Sequence, residues 1–189
     1  MAILVIGLVL FLGIHVVPAL PPLRAACVAR LGGEKRYKGA FSIVSGIGLV
    51  LIVVGYAYAP RGEQLFAPSI GARHAAPLVV ALAFVLLAAA NLRGHLRRIV
   101  RHPMLIGVGL WSLTHLLANG HAKATVLFGA FLAYAALDLG SAVARGAVKS
   151  FTPQAKYDYM AVGGGIALAL GVMWMHRILF GVAPVPWSL

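Results

Sequence analysis

Six apolar stretches constrain what this chain can fold into more than any other feature of it. They run from Ala2 to Leu20, Ala40 to Ala59, Ala75 to Leu92, Pro103 to Asn119, Ala124 to Gly140, and Met160 to Phe180. Each is near the roughly 20 residues that a helix rising about 1.5 Å per residue needs to cross about 30 Å of hydrocarbon. The third to fifth are short and are expected to extend into their flanks. No alternation of period two recurs, which argues against a membrane barrel, and a helix satisfies its backbone hydrogen bonds within one segment. With 61% of the 189 residues apolar and 11% charged, too little polar surface exists to wet a globule of this size, so water-soluble enzyme folds are largely excluded. The expected fold class is all-α, an integral membrane bundle of six transmembrane helices, with residues 1–189 as a single transmembrane domain.

Charge is distributed as unevenly as hydropathy. Sixteen Lys and Arg stand against Glu34, Glu63, Asp138 and Asp158, a formal charge of +12. In a soluble protein that balance points to nucleic acid. Here the bases fall between apolar blocks and form no continuous face, so the expected partner is the lipid bilayer and not nucleic acid. Arg24, Arg30, Lys35, Arg36 and Lys38 lie in the first loop, Arg93, Arg97, Arg98 and Arg101 in the third, and Arg145, Lys149 and Lys156 in the fifth. Only Arg61, Arg73, Lys123 and Arg177 lie on the other side. The excess of bases puts the odd-numbered loops in the cytoplasm and both termini outside it. No Lys or Arg precedes Arg24, so the first stretch is expected to be a retained span and not a cleaved signal. Cys27 stands alone, which rules out an internal disulfide and a cysteine-built zinc or iron–sulfur site.

Histidine is the residue type best placed to carry chemistry. His15 and His115 fall inside spans, whereas His74, His95, His102, His121 and His176 fall at or near interfaces. A charged side chain deep in hydrocarbon costs about 2.5–3.5 kcal/mol on insertion scales, and a neutral imidazole there still wants both nitrogens satisfied. Helix geometry puts His15 about 12 Å from the cytoplasmic interface and His115 about 18 Å beyond Pro103, depths that differ by about one turn. Two imidazoles at such depths on antiparallel helices suit a b-type haem gripped from both faces. They equally suit two histidines that each hydrogen-bond a neighbouring helix, which is the default for an arbitrary six-span protein.

The run Arg101-His102-Pro103-Met104-Leu105, Gly107, and then Trp111-Ser112-Leu113-Thr114-His115-Leu116-Leu117-Ala118-Asn119-Gly120 resembles the RHP…W…AHLLANG signature of the NnrU family. Gly13-Ile14-His15, Leu23-Arg24 and Leu31-Gly32-Gly33-Glu34-Lys35-Arg36-Tyr37 are similar to that family's membrane histidine, Leu-Arg pair and G-E-x-x-Y loop. This bacterial membrane family takes its name from a link to nitrite and nitric oxide reductase function, and is related to the 15-cis-zeta-carotene isomerases of plants and cyanobacteria. The resemblance implies haem b with His15 and His115 as metal ligands, and the bacterial inner membrane with both termini periplasmic. Where the isomerases carry a cysteine three residues before the second histidine, this chain has Ser112, a poor iron ligand. That departure counts against redox-controlled ligand exchange and against the isomerase activity.

Three functions follow as expectations. The first is a haem-b membrane protein of redox, nitrite or nitric oxide (denitrification) metabolism, with a small gaseous ligand. The second is a haem-dependent cis-trans isomerase of an apolar polyene. The third is a cofactor-free assembly partner of a respiratory or denitrification complex.

The remaining candidates each have a structural and a functional reading. His102, before Pro103, suits the first turn of a helix, or contact with a haem propionate together with Arg101. Asp138 is expected to pair with Arg101 or His102. Asn119-Gly120 reads as a helix stop, with Asn119 alternatively bonding a ligand. Trp111, Tyr134 and Trp174 read as packing or interface belt, and Glu34 with Tyr37 as a loop-locking pair. Gly46, Gly48, Gly107, Gly109 and Gly163 to Gly165 read as points of close helix approach.

Overall fold

The computed structural model describes residues 1–184, so the last five residues of the expected domain, 185–189, lie outside the described residues. Among the described residues the regular structure is helical apart from one antiparallel bridge between Gln64 and His121. Contacts divide the chain into two compact units, Met1–Glu63 and Gln64–Leu189.

The first unit holds α1 (Ala2–Val16), a 3-10 turn (Val17–Ala19), α2 (Pro21–Arg30) and α3 (Glu34–Tyr58). The expected first span ends early, at Val16, because Pro18 offers no N–H to continue the ladder. The proline-rich stretch after it, which hydropathy alone marks as loop, instead starts α2, since proline at the first helical position brings a pre-set φ and loses only an N–H that would be unpaired anyway. The turn into α3 runs through Gly32 (φ 74°) and Gly33 (φ 123°), and the Gly33 N–H donates to the Val28 carbonyl at 2.9 Å. Those positive φ values suit glycine alone among ordinary residues. Helix α1 lies directly along α3: a Cβ on Gly48 would stand 2.7 Å from the Phe11 backbone nitrogen, and one on Gly7 2.6 Å from that of Ile52. Gly46 faces open space, so of the two glycines marked for close approach in this span only Gly48 serves it.

The second unit holds α4 (Ile70–Ala89), α5 (His95–Val100), α6 (Pro103–Ala118), α7 (Ala122–Ala144) and α8 (Ala155–Phe180). Helix α4 packs against both α6 and α8, and α7 packs against α6, which sets the four long helices in the order α8, α4, α6, α7. Glycine again permits the approach: Gly165 of α8 meets the Val85 backbone and Gly107 of α6 the Ala83 carbonyl, whereas Gly163 and Gly164 face open space.

Five stretches, Ala2–Ala19, Glu34–Tyr58, Ile70–Ala89, Ala122–Ala144 and Ala155–Phe180, are long and apolar enough to cross a membrane. Helix α6 is also apolar but has 16 residues, about 24 Å of rise. The chain is thus an all-α, multi-pass membrane protein of five long apolar helices and a shorter one.

Candidate histidine sites

His15 and His115 each occupy the last turn of a helix, α1 and α6 respectively. The two sites share one local build. His15 donates Nδ1–H to the Phe11 carbonyl at 2.6 Å, and His115 donates Nδ1–H to the Trp111 carbonyl at 2.8 Å. In both cases the acceptor lies four residues back and carries an aromatic ring against the imidazole: Phe11 at 4.3 Å between centroids, Trp111 at 5.4 Å. A second ring comes from the adjoining helix, Phe41 of α3 at 5.0 Å from His15 and Phe128 of α7 at 4.8 Å from His115. Side chains four apart meet on one helix face, so the spacings Phe11–His15 and Trp111–His115 in the sequence already carry this arrangement.

A neutral imidazole that donates from Nδ1 keeps its lone pair on Nε2. Metal-binding histidines in general donate their other N–H to a carbonyl or carboxylate, which fixes the tautomer and makes the ligating nitrogen more basic. Both rings therefore present the tautomer and the apolar, aromatic flank that a porphyrin iron would require. Beyond Phe41, whose ring lies 6.3 Å from that of Tyr37, the Tyr37 hydroxyl is buried and has no hydrogen-bond partner among the described residues. A buried polar atom without a partner is costly.

The turn holding His115 is fastened from several sides. Asn119 donates its side-chain amide to the His115 carbonyl at 2.7 Å, so its helix-stop role is the one the structure displays. Arg73 of α4 donates to the Ala118 carbonyl at 3.2 Å, and the Ser69 N–H donates to the Leu117 carbonyl at 2.9 Å. Three residues before His115, Ser112 is completely buried and its hydroxyl donates back to the Val108 carbonyl at 2.7 Å. Trp111 makes edge contacts with Phe128 and Phe131, which assigns it to packing, whereas Trp174 is 80% exposed.

Arg101 and His102 come together at the turn from α5 into α6, where they line a cavity with Ile106, Leu139 and Val143. Asp138 is not their partner among the described residues. It accepts instead from the Tyr134 hydroxyl at 3.0 Å, one turn back on its own helix. Glu34 and Tyr37 do not bond each other either: Arg24 joins them, pairing with the Glu34 carboxylate while its guanidinium lies 5.4 Å from the Tyr37 ring centre.

One further cluster joins residues far apart in the chain. Asp158, in the first turn of α8 and ahead of the apolar stretch beginning at Met160, accepts from the Leu96 N–H at 2.8 Å, the His95 N–H at 2.9 Å and His95 Nδ1 at 2.8 Å. The carboxylate thereby caps α5 from another helix, and Gly94 leaves it the room that a Cβ would occupy. His74 is exposed, His121 is half-buried with its Nδ1 lacking a partner among the described residues, and His176 bonds the Val182 carbonyl at 2.8 Å. No group of three or more His, Cys, Asp or Glu suited to a metal ion occurs among the described residues.

The sequence model of a protein family described as "NnrU protein" matches residues 3–184. No curated protein and no solved structure matches significantly.

Proposed function

The chain belongs to the NnrU family, and from that premise we propose that it binds haem b in the bacterial inner membrane, with His15 and His115 as the residues that would hold its iron. On this reading α6 is a sixth span, both termini are periplasmic, and the protein serves redox or nitrogen-oxide metabolism. Haem held by two histidines would supply a one-electron couple.

The observation that carries the proposal is the shared build of the two histidines: Nδ1–H given to the carbonyl four residues back, with an aromatic ring on that same residue. The carbonyls hold each ring in one tautomer, and the last-turn position adds the negative end of the helix dipole, which favours the same donated proton. Phe11, Phe41, Trp111 and Phe128 keep water from the imidazoles, and Asn119 holds the backbone of the second one. Ser112, whose neutral hydroxyl is a poor iron ligand, is buried and bonds the Val108 carbonyl of its own helix. For that reason the polyene isomerase reading is not adopted.

An absorption spectrum of detergent-purified protein, oxidised and reduced, tests the proposal. A sharp Soret band that His15→Ala and His115→Ala each abolish, and that His176→Ala retains, is the expected result. Wild-type protein purified from cells supplied with haem precursor and lacking such a band would leave the assembly-partner reading in its place.

A further inference from the structure

The geometry at the α5–α6 turn assigns a second binding site, independent of the haem reading: a seat for one anionic phospholipid, its phosphate on Arg101 and the start of one acyl chain along α6 and α7. A cavity of about 340 Å³ opens beside this turn. Val100, Ile106, Leu139 and Val143 form its apolar wall, and Arg101 and His102 are its polar lining. Such a division suits an amphiphile, with an apolar surface for a chain and a planar, permanently charged fork for a phosphate.

Charge decides the sign of the headgroup. No carboxylate lines the cavity, and Asp138, the acid on the neighbouring helix, is bonded to Tyr134. Arg101 has no ion-pair partner among the described residues. Arg93, Arg97 and Arg98 precede it in the chain and Arg145 and Lys149 follow α7, while the acid at this end, Asp158, is bonded to His95 and Leu96, so bases outnumber acids here. Juxtamembrane bases of this kind attract anionic lipid. A free inorganic anion would use the guanidinium but leave the aliphatic wall bare, which is why a phospholipid is the occupant assigned.

The backbone makes the site testable. Arg101 has φ 62° and ψ −50°, and the His102 N–H reaches back to the Val100 carbonyl at 2.7 Å, a tight three-residue turn in a region that a side chain resists. Arg101→Gly therefore removes the guanidinium while easing the turn, and is expected to fold.

Native mass spectrometry of the full chain in detergent, offered equal amounts of phosphatidylglycerol and phosphatidylcholine, reads the proposal directly. The wild type is expected to retain one phosphatidylglycerol about tenfold over phosphatidylcholine. Arg101→Gly should lose about that factor, the size of one charge-assisted contact, and Arg101→Lys should keep part of it. Leu139→Trp, which fills the apolar wall, should reduce retention with the charge intact. Equal retention of the two lipids, or unchanged retention in Arg101→Gly, overturns the proposal. So does full displacement by millimolar inorganic phosphate, which would identify a simple anion site, or loss of bound haem in Arg101→Gly with lipid retention unaltered, which would identify a propionate contact.

Discussion

Asn119 donates its side-chain amide to the backbone carbonyl of His115 at 2.7 Å, so the residue that ends α6 also holds the turn from which the imidazole projects. That carbonyl lies in the last turn, where helix bonding supplies too few donors. Asn119→Ala is expected to cost about 1 kcal/mol. Asn119→Asp should cost at least as much, since a carboxylate cannot donate. Thermal melts in detergent measure both, and a melting temperature equal to that of the wild type would contradict the bond's role.

Glycine pairs on α3 give an internal contrast. Gly46→Ala meets open space and should be neutral or stabilising by up to about 1 kcal/mol through helix propensity. Gly48→Ala would press a methyl onto the Phe11 backbone and should destabilise by about 1–3 kcal/mol. Chemical denaturation of the two variants side by side checks the difference, and equal effects would refute the seam.

Asp158 joins α8 to α5 through three hydrogen bonds. Asp158→Asn leaves the His95 and Leu96 N–H groups a weaker, neutral acceptor and should lower the melting temperature. Thermal melts in detergent at neutral pH check this, and an unchanged midpoint would contradict the capping role of the carboxylate.

Ser112→Ala removes a hydroxyl that bonds only its own helix, at Val108 and Gly109. Those carbonyls keep their helical donors, so the loss should stay below about 1 kcal/mol, and the Soret band expected for the wild type should be unchanged. A shifted band in this variant would mean that the hydroxyl acts on the iron.

Much of this was legible in advance, and what was not has definite causes. The six apolar stretches recur as α1, α3, α4, α6, α7 and α8, because hydropathy reads burial in lipid directly. Hydropathy does not register a missing N–H, so the first span was drawn past Pro18, and α2 went unseen between two prolines and two glycines. Both histidines stood out as imidazoles within apolar runs, and their aromatic partners four residues back were available from spacing alone. Asp138 was assigned to distant bases although Tyr134 stood one turn away on the same helix. The Asp158–His95 contact joins residues 63 apart with no local pattern to announce it. The positive φ of Arg101 was hidden by residue type, since glycine is the usual occupant of that conformation.

The order α8, α4, α6, α7 has a final consequence. Within this unit α7 has α6 as its one substantial helical neighbour among the described residues, so no third helix of the unit can take up a misfit on the α6–α7 seam, and the rings of Trp111, Phe128 and Phe131 stand or fall together.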